Sequence, residues 1–559
     1  MNEFNKEGIY FFALGGAEEV GFNMYAYAVD GKIIVVDAGY GFLNDDYPGM
    51  EMGLADASFL ENYQEDIEAI FITHAHEDHF GAIAHIWPKL RCPIYATDFT
   101  LGHIAYRLRE YKLENEVELH SATDHPRIKL QNFDVEFAGL VHSTLESCGL
   151  IIRTKYGNVV HATDWRFDDG QNELSVTDYK ALHGVAKEGV ELYVGDSTNM
   201  RENEQSPSEM EIRENLIKLV PTFKNTLVAT CFASNITRME SLILAAHAAG
   251  RTPVIAGMSL IQNMNIAKDC GFLQNLPPYV EAKQAMDIPL DKMLYICAGS
   301  QGNYRSGLTR IVNGENKNIS LGKGDAIIFS SKIIPGNEEK IERMQEKLRD
   351  AGVDVITTEE YAVHTTGHGG KNEIKAMYEL LKPQLVIPVH GDKRNIREQR
   401  RFALECGVKE VTQVHNGDVL LINKGRYELA GVVPTDILGV DRKQLTGLGS
   451  QLVKNRKRIA YNCSVFISAF FDVNWQLEDL QISAIDILEE NAWQKLAEGI
   501  KEDMIKSVPG EIVKLNYRES AIEEYIRAKI RKKIYAATDI KPVVFMHFFK
   551  KAHKDTEEE

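Results

Sequence analysis

The sequence predicts an α/β protein in three parts: stacked sheets flanked by helices, a second α/β domain inserted into them, and a small α/β unit at the end. Three observations carry this prediction. Short apolar segments of strand length crowd the region before residue 205; strands alternate with helix-length segments from 206 to 356; and the last stretch sets an isoleucine-striped helix between two apolar strands.

The segments IYFFAL, MYAYAV and KIIVVDAG within residues 9–37 read as strands, separated by the turn LGGAEEVG and by Asp30-Gly31, a hairpin signal between apolar runs. Gly15, Gly16 and Gly21 do not have dinucleotide-fingerprint spacing and read as turn glycines. Further strands are expected at 67–73, 92–97, 133–140, 149–154, 158–164 and 191–197. Beyond residue 205, NTLVAT precedes a helix near 238–249, TPVIAG one near 259–270, and DAIIFS leads to EEKIERMQEKLRDAG before VDVI. Such alternation implies a parallel sheet. The expected division is 1–205 and 358–440 for the two parts of the first domain, 206–357 for the insertion, 441–460 for a basic linker, and 461–555 for the C-terminal α/β unit. In that unit Ile522, Ile526, Ile530 and Ile534 recur every four residues, an apolar helix stripe, and the tail HKDTEEE is expected to be disordered.

The chain has 559 residues, 44% hydrophobic and 26% charged, with a net charge of -18. This excludes a protein coated in basic surface; any nucleic-acid contact belongs in a local, salt-sensitive groove. The basic runs KNRKR (454–458) and RAKIRKK (527–533) read as linker and solvated helix face. The seven cysteines are scattered without a CxxC pair, which fits reduced thiols. With no signal pattern and no apolar run of membrane-spanning length, the expectation is a cytoplasmic protein without membrane contact.

The sharpest chemical signal is His74-Ala75-His76-Glu77-Asp78-His79, at the end of an apolar strand and the start of a helix. His74 and His76 alternate and can point the same way from extended backbone. Asp78 and His79 lie one turn onward and can face a second ion. Imidazole and carboxylate without thiolate suit zinc or manganese in a hydrolytic site.

HxHxDH is the signature of the metallo-β-lactamase superfamily, and further motifs extend the likeness over nearly the whole chain. Asp37 in VVDAG, His142 in LVHSTLESCG, Asp164 in HATDW, the DST of 196–198, His368 in VHTTGHGG and His390 in IPVHGD match the motifs of its β-CASP subgroup. The strings TCFASNITR (230–238), AGSQGN (298–303) and IIPGNE (333–338) resemble the ribonuclease J family in particular. The resemblance implies a metallo-β-lactamase αββα sandwich with an inserted β-CASP domain. It implies one ion held by His74, His76 and His142, a second by Asp78, His79 and His390, and Asp164 bridging both. The ions would be two zinc ions, or manganese or magnesium in their place or beside them. Five imidazoles and two carboxylates balance two divalent cations only in part, which leaves a positive site for a phosphate.

It further implies a metal-dependent ribonuclease of RNA processing and decay. The implied activity is 5′→3′ exonuclease on the 5′-monophosphate end of single-stranded RNA, together with endonuclease. The protein is expected to form a homodimer or homotetramer. His368 is the candidate general acid, Asp196 its orienting carboxylate, and Ser234, His364, Thr366 and His368 candidates to hold substrate phosphate. The sequence departs from the family at Ala75 (usually Gly), Thr366 (usually Ser), Asp392 (usually Glu) and in an apparently shorter region 165–190. These departures bear on substrate preference and remove no ligand. Two other readings are a β-CASP nuclease acting on DNA and a catalytically silent RNA-binding scaffold; the intact ligand set argues against the second.

Overall fold

The computed structural model describes residues 6–168, 174, 176–201, 206–303, 306–334 and 337–552. Within it the chain divides into two compact units: Met1–Phe42 with Gly53–Ile437, and Leu43–Met52 with Leu438–Glu559.

Two facing sheets form the centre of the first unit. The eight-stranded sheet runs, in spatial order, Arg426–Val432, Asp418–Asn423, Ile9–Gly15, Met24–Val29, Lys32–Val36, Ile67–Phe71, Ile94–Ala96 and Leu119–Ser121. The seven-stranded sheet runs Glu410–Val411, Leu385–Val389, Leu192–Asp196, Gly157–Ala162, Cys148–Thr154, Asp134–Gly139 and Arg127–Lys129. Apolar side chains of both sheets share one core, among them Phe11, Tyr27, Val36 and Phe71 from the first and Phe137, Ile152, Val194 and Val389 from the second. The outer face of the second sheet buries Ile151, Val160 and Tyr193 against Leu182, Met377 and Leu381 of the flanking helices Tyr179–Glu188 and Lys371–Leu381. That is the predicted sandwich. The Asp30-Gly31 hairpin is present, with φ of 46° and 83° at the two turn residues and Val29 paired with Lys32.

The inserted segment folds as a wholly parallel six-stranded sheet, in the order Val280–Glu281, Thr252–Ala256, Met293–Cys297, Leu227–Thr230, Ala326–Phe329 and Asp354–Ile356. Its helices Ile236–Ala248, Met258–Asp269 and Glu338–Asp350 lie within a few residues of their predicted places. Ala75, the methyl that stands where the family usually has glycine, packs in the same apolar core as Phe99, Leu145 and the insert residues Ile236 and Met239.

In the second unit the strands Leu477–Ile485, Ser464–Phe471 and Val543–Lys550 form a three-stranded sheet. Beneath it Ile522, Ile526, Ile530 and Ile534 are all fully buried, as their spacing predicts. Residues 441–460 are not a linker. They belong to the hairpin Ile437–Asp441/Gln444–Gly447 and the helix Gln451–Asn462. Ser450 caps that helix, Arg456 pairs with Asp441 at 2.5 Å, and Lys457 lies 4.4 Å from the Tyr47 ring, so local partners order a stretch whose basic composition read as solvated chain. In the run 527–533, Arg527 pairs with Glu523 and Glu524, while Lys529 and Lys533 pair with Asp503. The tail 553–559 lies outside the described residues. All seven cysteines are free thiols, and among the described residues no helix is long and apolar enough to cross a membrane.

Candidate metal centre

The chemistry-bearing side chains sit where strands of both sheets end. Asp37 follows Lys32–Val36 and His74 follows Ile67–Phe71 in one sheet. His142 follows Asp134–Gly139, Asp164 follows Gly157–Ala162, Asp196 ends Leu192–Asp196 and His390 follows Leu385–Val389 in the other. Three groups of ligand atoms result, each within 4.8 Å of one another: His74, His76, His142 and Asp164; Asp78, His79, Asp164 and His390; and Asp164, Asp196, His368 and His390. Asp164 is common to all three, and His390 to two.

In the first group three imidazole nitrogens converge. His76 Nδ1 lies 3.2 Å from His74 Nε2 and 3.0 Å from His142 Nε2. The opposite edge of each flanking ring is occupied: His142 Nδ1 donates to the Gly367 carbonyl at 2.6 Å, and His74 Nδ1 is 3.0 Å from the Thr73 hydroxyl. A Cβ on Gly367 would fall 2.6 Å from the His142 ring, so only glycine permits this approach. Burial pushes His74 and His142 well below the usual imidazole range and His76 down to about 4. Neutral rings directing lone pairs at one point repel one another unless a cation takes them up, and a hydrogen-bonded far nitrogen is the usual support of a ligating histidine.

The second group is arranged by carboxylates. His79 Nδ1 is 2.7 Å from Asp37, which also accepts from the Thr73 amide at 2.8 Å, and His79 Nε2 is 3.3 Å from Asp164. Burial opposes charge on His79, but Asp164, Asp78 and Asp37 outweigh it and push it up to about 10. His390 follows the same pattern: burial opposes charge, while Asp164, Asp196 and Asp78 raise it well above the usual range. Its Nε2 is 3.1 Å from Asp78 and its Nδ1 3.0 Å from Asp164. Asp37 and His390 adopt left-handed backbone, φ 62° and 51°, a conformation uncommon for side-chain-bearing residues and concentrated at functional sites. Asp164 is buried, with Oδ1 3.0 Å from His390 Nδ1 and Oδ2 3.7 Å from His142 Nε2 and 3.9 Å from His74 Nε2. A buried carboxylate with imidazoles converging on both of its oxygens fits cation binding on both sides of Asp164.

His368 borders this basin. Its Nδ1 lies 2.7 Å from Asp196 Oδ2, and its ring centroid is 5.0 Å from that of His142. Burial opposes its charge, and Asp196 and Asp164 raise its pKa nonetheless. Thr366 turns its hydroxyl to the loop, accepting from the His368 amide at 3.2 Å and from Asn199 Nδ2 at 3.0 Å. His364 Nδ1 lies 3.1 Å from Arg238 Nη1. Ser234, in the turn before Ile236–Ala248, makes no side-chain hydrogen bond to these groups among the described residues. Asp392 caps helix Lys393–Glu405 through the Arg394 and Asn395 amides.

Asn23 and Asn199 gave no sequence signal of their own, and Thr198 lay in the DST motif without an assigned role. Asn23 Nδ2 donates to the Asp78 carbonyl at 3.0 Å and lies 3.2 Å from His79 Nε2; Thr198 donates to the His390 carbonyl at 3.0 Å; and Asn199 donates to the His368 carbonyl at 2.8 Å. Arg238 lay in a family-like string without an assigned role. His161 is 2.7 Å from the Tyr27 hydroxyl, and burial, with His79 nearby, pushes it down to about 3.

Comparison with known proteins agrees with this architecture. Residues 33–198 match the family described as beta-lactamase superfamily domain, residues 224–348 match ribonuclease J, beta-CASP domain, and residues 352–408 match Zn-dependent metallo-hydrolase RNA specificity domain. The chain is 32% identical over 544 residues to a protein named ribonuclease J from Sinorhizobium meliloti, covering 96% of each. It is 30% identical over 477 residues to ribonuclease J 1 of Streptococcus pyogenes, covering 85% of this chain and 84% of that one. To ribonuclease J of Helicobacter pylori it is 29% identical over 558 residues, covering 98% and 80%. A solved structure of a protein of unknown function from Enterococcus faecalis superposes with a TM-score of 0.54 at 16% identity, covering 75% of this chain and all of that one, a likeness of fold alone.

Proposed function

The chain belongs to the ribonuclease J family and is a metal-dependent ribonuclease, and from that premise we propose that it cuts RNA by two-metal hydrolysis, as a 5′→3′ exonuclease on 5′-monophosphate ends and as an endonuclease. The observation that carries the reading is the shared carboxylate: Asp164 belongs to both ligand groups, so two cations would sit on either side of one side chain. His74, His76 and His142 would hold one ion, Asp78, His79 and His390 the other. When bound, a pair of divalent ions lowers the pKa of water and neutralises charge on an attacked phosphate.

The chain's own residues supply the rest. His368, kept protonated by Asp196, gives its Nε2 proton to the leaving 3′-oxygen. Asp196 fixes which ring nitrogen faces the substrate, because its carboxylate engages Nδ1. His364, Thr366 and Ser234 hold phosphate oxygens at the rim. The products would carry a 5′-phosphate and a 3′-hydroxyl. RNA would be distinguished from DNA by contact with the 2′-hydroxyl. The domain limits 1–205, 206–357, 358–440 and 461–555, a homodimeric or homotetrameric assembly, zinc as the resident metal and a cytoplasmic setting belong to the same proposal.

The test is to incubate the protein with 5′-monophosphate and 5′-triphosphate RNAs of one sequence, and with the matching DNA, with and without chelator. The expected result is progressive loss of mononucleotides from the monophosphate RNA, internal cuts in the triphosphate RNA, and neither after chelation. Equal cleavage of DNA, or cleavage that survives verified metal removal, would falsify the reading.

A further inference from the structure

A buried guanidinium stands behind the rim of the basin with no part in the chemistry above. Arg238, in the first turn of helix Ile236–Ala248, is fully buried, and its Nη2 donates to both oxygens of Glu209 at 3.0 Å. The two N–H bonds of its Nη1 are shared among Ser330 Oγ at 2.7 Å, the Val363 carbonyl at 3.0 Å and the Ser330 carbonyl at 3.2 Å, and His364 Nδ1 lies 3.1 Å from the same nitrogen. Ser330 Oγ donates in turn to the Val363 carbonyl at 2.6 Å, so the loop leading into His364 is tied to the same cluster.

A guanidinium has donors only. The nitrogen facing it must therefore present a lone pair, and the single proton of a neutral His364 falls on Nε2. Burial and the positive charges of Arg238, Lys332 and Arg166 push this ring well below the usual imidazole range. The Ser330 carbonyl beside the ring, which also accepts from Arg238, pulls the other way and is outweighed. Four residues on, His368 has the opposite partner: a carboxylate at Nδ1, which demands an N–H there and favours the charged ring.

We propose that Arg238, clamped by Glu209, is a positioning residue that locks His364 as the neutral Nε2–H tautomer, a pure hydrogen-bond donor to a substrate phosphate oxygen. This rests on the reading that His364 faces substrate phosphate. The two histidines of one loop are thereby given separate tasks: His368 releases a proton, and His364 binds without releasing one.

The tautomer is read directly by long-range proton–nitrogen correlation on protein labelled with 15N-histidine, the His364 signals being assigned by their loss in His364→Gln. The expected result at neutral pH is a pyridine-type Nδ1 and a pyrrole-type Nε2; a pyrrole-type Nδ1 overturns the proposal without any variant of the clamp. The second measurement uses Glu209→Gln with Arg238→Met, which removes both charges and leaves neither one buried alone. With metal content and circular dichroism unchanged, His364 should show mixed tautomers, and KM for a 5′-monophosphate RNA should rise about tenfold with kcat changed less than about threefold. An unaltered tautomer in the double variant overturns the clamp. An altered tautomer with unaltered KM overturns the phosphate-facing reading beneath it. If the double variant does not fold, the wild-type spectrum decides.

Discussion

The two halves of the basin use similar residue types in opposite electrical states. His74, His76 and His142 are backed by a hydroxyl and a carbonyl and are held neutral by burial. His79 and His390 are backed by Asp37, Asp78, Asp164 and Asp196, which outweigh burial and hold them protonated. The first half offers lone pairs at once, whereas the second must shed protons to bind a cation. Residue type alone does not set a ligand's readiness; the group on its far side does.

The largest effect tests what the halves share. Asp164→Asn should lower cleavage by about 10⁴-fold or more and bring metal content below one ion per chain, read by elemental analysis. Retention of two ions would remove the bridging role. Next come His142→Ala and His390→Ala, each expected to cost one ion and about 10³-fold in rate. They should differ in pH response. His142→Ala leaves the protonated half, so loading of its remaining ion should weaken as pH falls through the neutral range. His390→Ala leaves the neutral half, whose loading should hold to about pH 5, since His76 titrates only near about 4. Identical loading curves would erase the contrast.

Asp196→Asn should lower kcat by about 10²-fold. The sign of its pH effect follows from the raised His368 pKa: a general acid works below its pKa and fails as pH rises through it. With the carboxylate gone that pKa falls, so the alkaline limb of the rate profile should move to lower pH. Smallest is Gly367→Ala, whose Cβ would press on the His142 ring and displace the carbonyl behind it. A loss of about tenfold in metal affinity at the neutral half is expected, with the alkaline limb unmoved.

Legibility in the sequence followed locality. The HAHEDH run could be read from its own residues because its donors are close along the chain and follow an apolar strand. Asp37, His142, Asp164 and His390 are single residues at distant strand ends, and only resemblance to a family joined them. The isoleucine stripe of Glu519–Thr538 was plain because one face is uniformly apolar. The helix Asp98–Tyr111 was not, because its buried face mixes Phe99 and Ile104 with Thr100 and His103. The Glu209–Arg238 clamp lies wholly outside sequence reasoning: two charges 29 positions apart look solvated until folding removes the solvent. The reading of 441–460 as a linker failed for the converse reason, since its order comes from Asp441 and Tyr47, partners that composition does not reveal.

Because His74, His76, Asp78 and His79 hang from one sheet while His142, Asp164 and His390 hang from the other, any ion coordinated here would rivet the two layers together. Prying the layers apart would scatter its ligands, so the folded form alone binds tightly and thermal resistance becomes a function of free metal concentration. Starvation for the ion would then silence the protein and loosen it at the same time.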